Sequence, residues 1–233
     1  MKFNLKAYHG GLGDCLQFST LPEMLTKAGH SVYLCKDAAY RHPAINDFVW
    51  GMNPYILGES AGEWNCGDTP SRGYGNRHND FIMNWESLHG LNPVNSLPKI
   101  YYQPKALSGI DGIIELSALS LKYNRDAVIA ITQDIIAKSN KNFKQLVSPN
   151  QSNNIIIPGI ETITSSGLEE TTDIIHNCKI LVTLNSGVHA LAAAVQRFGN
   201  VPDHHCFLPA KDYGWIMESK KFIFPNINYI NES

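Results

Sequence analysis

Two short runs in this 233-residue chain carry residue types able to do chemistry together. The first is His9-Gly10-Gly11-Leu12-Gly13-Asp14, which runs straight into Cys15-Leu16-Gln17-Phe18-Ser19-Thr20-Leu21-Pro22. A glycine turn between a strand and a helix leaves backbone N–H groups facing a cleft, here with one carboxylate beside them. The positive end of the helix favours an anion there, so Asp14 is a candidate proton acceptor. Gly11 and Gly13 are the points at which a ligand would approach the backbone. The same Asp also suits a plain N-cap role, and the spacing is not the G-x-G-x-x-G of dinucleotide-binding folds.

The second run is Leu184-Asn185-Ser186-Gly187-Val188-His189, set between a β-branched stretch and an Ala-rich one. Asn185 or Ser186 can cap the helix that starts there, Gly187 allows close approach to the backbone, and His189 falls in the first turn. A helix start with uncommitted N–H groups and small residues suits a diphosphate. A plain capped helix packed on a sheet would read the same way.

Together the two runs resemble those of the heptosyltransferase-like glycosyltransferases, the family typified by ADP-heptose:lipopolysaccharide heptosyltransferases. Its N-terminal Gly-Asp, small and apolar residues and Pro are matched by Gly13, Asp14, Leu16, Ser19, Thr20 and Pro22. Its C-terminal Asp-Ser-Gly-x-x-His-x-x-Ala run is matched by Asn185, Ser186, Gly187, His189 and Ala192. Two departures stand out: Asn185 replaces the family's acid, and one residue, not two, separates Gly187 from His189. The resemblance covers the first thirty-odd residues and about 168–198.

It implies two Rossmann-like α/β domains with parallel sheets and an interdomain cleft, the GT-B type. It also implies a sugar donor that is a nucleotide diphosphate and a saccharide or glycoconjugate acceptor. Transfer requires a base for the acceptor hydroxyl and groups that stabilise charge on the leaving diphosphate. Asp14 fits the first role. Ser186, Gly187, His189, Lys122 and Arg125 fit the second, with Ser117 and Ser120 as further phosphate contacts. No Asp-x-Asp pair occurs in the chain, so the expected reaction is metal-independent and inverting, without a cofactor.

The elements that must position these residues follow the same rhythm. Residues 2–8, 31–35 and 47–50 read as strands and 14–28 as a helix, with Leu16, Met24, Leu25 and Ala28 at helical spacing. Residues 51–79 are rich in Gly, Asn, Pro and aromatics, including Trp64 and Tyr74, with Trp85 just beyond; so long a loop is often functional, and an irregular insertion packed for structure alone reads the same way. The run 92–98 reads as a linker, dividing an acceptor-side domain, 1–97, from a nucleotide-sugar domain with a C-terminal tail, 98–233. In the second half, strands are expected over 112–117, 144–148, 154–157, 180–184 and 205–208, the last of them closing the sheet. Helices are expected over 125–140, 168–177 and 188–198. Alternating strands and helices imply parallel sheets, and the tail after Trp215 is expected to cross back to the first domain.

Composition narrows the function classes. Apolar residues make up 43% and charged residues 17%, values ordinary for a globular enzyme. A net charge of -2 argues against a general polyanion-binding surface. No apolar run approaches the ~20 residues that span a bilayer, and the N-terminus lacks a signal-peptide pattern. Five scattered cysteines fit reduced thiols in a cytoplasmic setting. His204-His205-Cys206, with Cys66 elsewhere, invites a zinc reading, but adjacent histidines chelate one ion poorly and no C-x-x-C type spacing accompanies them. Cys15 lacks an identifiable base and reads as a small apolar filler, not a nucleophile. Two rival functions remain at this level. One is a DNA-modifying glycosyltransferase of phage or other type, whose aromatic 50–85 region stacks on bases. The other is a nucleotide-sugar-binding protein of the same fold without catalysis, for which the Asn at 185 speaks.

Overall fold

The computed structural model describes residues 1–38, 40–68, 80–118, 121–147 and 153–232. Tyr74 and Ser120 lie outside them. The chain forms two compact units, Met1–Gln103 with Lys220–Phe224, and Pro104–Ser219 with Pro225–Ser233.

The first unit is built on a parallel sheet of four strands, β1 (Lys2–Lys6), β2 (Ser31–Cys35), β3 (Ile56–Ser60) and β4 (Cys66–Gly67). Their order is β3-β2-β1-β4, so the winding reverses between β1 and β4. The expected helix over 14–28 is two helices, α1 (Leu12–Leu16) and α2 (Leu21–Lys27). Pro22 is the cause. It has no N–H to give Phe18, so a continuous helix breaks there, and Leu21 N–H bonds the Phe18 carbonyl at 3.0 Å. The expected strand over 47–50 is a turn of π-helix, Asp47–Gly51, which continues from α3 (Pro43–Asn46). Phe48, Val49 and Trp50 are all buried, and a short apolar run of that kind does not reveal its period.

α4 (Phe81–Leu88) brings Phe81, Ile82 and Trp85 into the core. Phe18 meets Trp85 edge-on at 4.7 Å, and the Trp85 indole N–H reaches Gln17 Oε1 at 3.0 Å. Glu86 is fully buried yet well supplied with donors: Thr20 Oγ1 at 2.9 Å, the Val94 and Asn95 amides at 2.8 and 3.2 Å, and Asn95 Nδ2 at 2.6 Å. This carboxylate ties down the run 92–98. Lys99 N–H adds a bond to Ser19 Oγ at 2.7 Å and Ile100 is buried, so that run is part of the first unit's wall. The division falls after Gln103.

The second unit has six parallel strands, β5 (Gly112–Glu115), β6 (Phe143–Leu146), β7 (Glu161–Ile163), β8 (Ile180–Leu184), β9 (Asp203–Leu208) and β10 (Ile227–Asn231). The order β10-β9-β8-β5-β6-β7 is that of a doubly wound nucleotide-binding sheet, with its reversal between β5 and β8. α5 (Arg125–Ser139) starts at Asn124, whose side chain accepts the Ala127 N–H, and ends at Asn140 in the left-handed region. α6 (Leu168–Asn177), α7 (Gly187–Val195) and α8 (Tyr213–Ser219) complete the unit, with a 3-10 turn, Gln196–Phe198, after α7.

Two expectations fail here. Residues 154–157 form no strand beyond one bridge from Asn154 to Ser117. The buried Gln145 amide takes a strand's place, donating to the Ile155 carbonyl at 2.6 Å and accepting the Ile157 N–H at 2.9 Å. The strand at 203–208 is also not the last, because β10 adds on beside it. Phe143, Ile114, Leu116, Val128, Val182, Leu184 and Phe207 form the core on the α5 side. No helix among the described residues is long and apolar enough to cross a membrane.

Candidate functional site

In a doubly wound sheet, ligands bind beyond the carboxyl ends of the two strands between which the winding reverses. Each unit places one of the two sequence runs there.

In the first unit the chain leaves β1 and turns at Gly10, whose φ of +61° is one that glycine adopts without strain. Gly11 caps α1, and Asp14 is the third helical residue, not the cap. Its Oδ2 turns back to accept the Gly11 N–H at 3.1 Å. A Cβ on Gly11 would stand 2.6 Å from that oxygen, so the glycine is needed for contact with the carboxylate. Gly13 lies inside α1. The Arg41 guanidinium lies 3.9 Å from Asp14 Oδ2, and the Arg41 Nε–H donates to the His9 carbonyl at 3.3 Å. The Asp14 side chain keeps 21% of its surface open to solvent.

Asp68, just past β4, accepts the Tyr8 N–H at 3.0 Å and so joins the two loops at the reversal. Burial raises its pKa above the ordinary carboxylate range against the pull of that amide, and the Asp14 charge adds to the rise. Neither Arg41 nor Asp68 was singled out from the sequence. The only signal for Asp68 is its place after a two-residue strand, too short to read. Cys15 is fully buried and its thiol is pushed up to about 12, first by burial and then by Asp14, which suits a filler of the strand–helix junction.

In the second unit the loops after β5 and β8 meet. Tyr123, in the first, accepts the Asn185 N–H on its hydroxyl at 3.1 Å. Ser186 caps α7 by its backbone, and its hydroxyl Oγ is buried without a hydrogen-bond partner among the described residues. Gly187 opens the helix. His189 points inward: it is fully buried, 3.4 Å from the Tyr229 hydroxyl and edge-on to His204 at 5.5 Å. His204 bonds Thr183 Oγ1 at 2.8 Å, and burial keeps its ring neutral, with His189 and His205 adding to the effect. Ser117 is buried and donates to Glu115 Oε1. Burial raises the Glu115 carboxyl to about 7 despite that bond. Lys122 and Arg125 are exposed on either side of Tyr123 and Asn124.

The Tyr123–Asn185 bond thus ties the loop that carries Lys122 and Arg125 to the turn of Asn185, Ser186 and Gly187, while Ser117 and His189 are buried. Of the residues in the zinc reading, Cys66 lies in the first unit and His204 and Cys206 in the second, where Cys206 is buried with its thiol pushed up by burial. Among the described residues no three His, Cys, Asp or Glu side chains form a metal-sized group.

Two reversed-winding parallel sheets, one offering a carboxylate and the other a helix start, have the fold of the two-unit glycosyltransferases. No protein-family model matches the chain, and no curated protein matches it in sequence. Solved structures do. The iron-containing dodecameric glycosyltransferase TibC of enterotoxigenic E. coli aligns with 98% of this chain at a TM-score of 0.64 and 14% identity. E. coli ADP-heptose LPS heptosyltransferase II aligns with 98% at 0.60 and 10% identity. A glycosyl transferase of family 9 from Veillonella parvula aligns with 99% at 0.59 and 9% identity. The chain spans 61% of the TibC chain, 89% of the heptosyltransferase and 84% of the Veillonella protein.

Proposed function

We propose that this chain is a glycosyltransferase that moves a sugar from a nucleotide diphosphate sugar to a hydroxyl of a saccharide or glycoconjugate, with Asp14 as the general base. The observation that carries the reading is the Asp14 carboxylate, partly open to solvent and fixed by the Gly11 N–H at the winding reversal of a glycosyltransferase-type unit. The acceptor O–H gives its proton to Asp14, the oxygen bonds to the anomeric carbon, and the bond to the diphosphate oxygen breaks with its electron pair. One displacement of this kind inverts the anomeric centre.

The second unit supplies the donor site. The N–H groups at the start of α7, from Ser186 and Gly187, face the departing diphosphate, with Lys122 and Arg125 adding positive charge. His189 supports that helix from below through Tyr229. No metal takes part, since no Asp-x-Asp pair stands in the sequence to carry one. ADP-sugars are the first donors to test, because one of the structures with this fold is an ADP-heptose transferase.

The test is a donor screen followed by a transfer assay. The full chain is expected to gain thermal stability with ADP or an ADP-sugar and to transfer sugar in EDTA. Asp14→Asn should keep donor binding and lose transfer. Failure of every nucleotide diphosphate to bind would overturn the donor reading, and transfer restored only by Mg²⁺ or Mn²⁺ would overturn the metal-free one.

A further inference from the structure

We infer that Glu232 is a positioning residue for the donor site, holding the loop after β5 to the loop after β9 and so fixing where the start of α5 stands. The inference rests on the donor reading above. Glu232 follows directly on β10, which pairs with β9 up to Asn231 beside Leu208. That pairing delivers the carboxylate to the carboxyl end of the sheet, where the proposed donor loops lie. There it is 3% exposed and takes two backbone donors. Oε2 accepts the Asn124 N–H at 2.9 Å and Oε1 accepts the Ala210 N–H at 3.2 Å.

Asn124 is no incidental partner. It is the cap of α5, and Lys122 and Arg125 stand two residues before it and one after it. Its neighbour Tyr123 is tied to the turn before α7 through the Asn185 N–H at 3.1 Å. Residues 123 and 124 are therefore held from two sides, by the β8–α7 turn and by Glu232. A carboxylate with two amide donors is among the stronger hydrogen-bonded arrangements. Asn124 and Ala210 are themselves exposed, so water can take over both N–H groups when the carboxylate is removed. The loss is then one of position, with little cost to the fold. A site whose cations are no longer held in place binds more weakly because binding must order them.

The experiment compares wild type, Glu232→Gln and Glu232→Ala in the full chain, with ADP as probe. Amide exchange is followed at Asn124 and Ala210 without ligand, and ADP affinity and the kcat and KM split for donor are measured beside it. Glu232→Ala is expected to speed exchange at both amides, leave β5 and β8 protected, and weaken ADP and raise donor KM about tenfold with kcat little changed. Glu232→Gln, which keeps one acceptor oxygen, should fall between. Unchanged exchange at both amides would overturn the brace. Faster exchange with unchanged ADP affinity would overturn its role in the donor site. A wild type that binds no nucleotide diphosphate would instead remove the donor reading, and this inference with it.

Discussion

The two units share a reversed-winding parallel sheet yet equip its reversal point in opposite ways. In the first, the candidate side chain, Asp14, is a carboxylate left partly in solvent, held by one backbone N–H and faced by an arginine. In the second, the side chains nearest the reversal are drawn inward: Glu115, Ser117, Thr183, His189 and His204 are all buried. What that unit turns outward is a helix start and two exposed cations. The difference suits the two tasks proposed for the units. Proton transfer needs a side chain with a lone pair at a fixed point, whereas a diphosphate is held by N–H dipoles and positive charge, which a rigid buried scaffold keeps in place.

The sharpest way to break this comparison is at Asp14. Asn can still accept the Gly11 N–H, so Asp14→Asn should fold and bind donor normally while turnover falls by about 10²–10⁴-fold. Near-normal transfer would show that the first unit's carboxylate has no more chemical part than the second unit's buried groups.

The buried side of the comparison is tested by pH. Glu115 has a folded pKa of about 7 against an ordinary 4.5. The folded state therefore holds the proton more tightly than the unfolded one. That advantage is complete below 4.5 and is lost as pH rises through 7, a difference of about 3 kcal/mol at alkaline pH. Glu115→Gln, neutral throughout, should gain stability over wild type at pH 8 by up to that amount and show little gain at pH 4. Urea unfolding at the two pH values checks it; equal gains at both would mean that Glu115 is not held neutral by burial.

Gly11→Ala sharpens the geometric claim. The added methyl would fall 2.6 Å from Asp14 Oδ2, so the carboxylate must move. A displacement of that order should lower kcat by about 10²-fold with Tm little altered. The smallest effect belongs to the second unit. Ser186→Leu, or Gly187→Val, should weaken nucleotide diphosphate binding about tenfold by crowding the start of α7, with kcat at saturating donor nearly kept. Unchanged affinity in either folded variant would move the diphosphate elsewhere.

How much of this was legible in the sequence also differs between the units. The helix at 125 is legible from Val128, Ile131, Ile135 and Ile136 on one side. α6 and β8 were bounded by residues that end helices and strands, and both match the expected ranges. The first unit hid more. Pro22 splits a helix whose apolar spacing runs on past it, and Phe48-Val49-Trp50 is apolar on every side because every side is buried. β4 is only two residues long. In the second unit, β10 reads Ile-Asn-Tyr-Ile-Asn, a polar-rich edge strand without a clear alternation, and Gln145 supplies from a side chain what a strand would supply from its backbone. Asp14 and the 185–187 turn were visible because glycine and small residues mark them. Arg41, Asp68 and Glu232 were not, since a single charged residue carries no pattern and its partners are distant in sequence.

The excursion of Lys220–Phe224 into the first unit has its own consequence. Phe222 packs on Phe81 at 4.8 Å within that unit, after which the chain returns to form β10 in the other. The polypeptide therefore passes between the units three times, and neither can be produced as one uninterrupted fragment. A protein cut once within 220–224 would lose a piece of the first unit's wall and the anchor of an edge strand in the second together. Backbone stitches the two units together, and melting either one pulls a thread from the other.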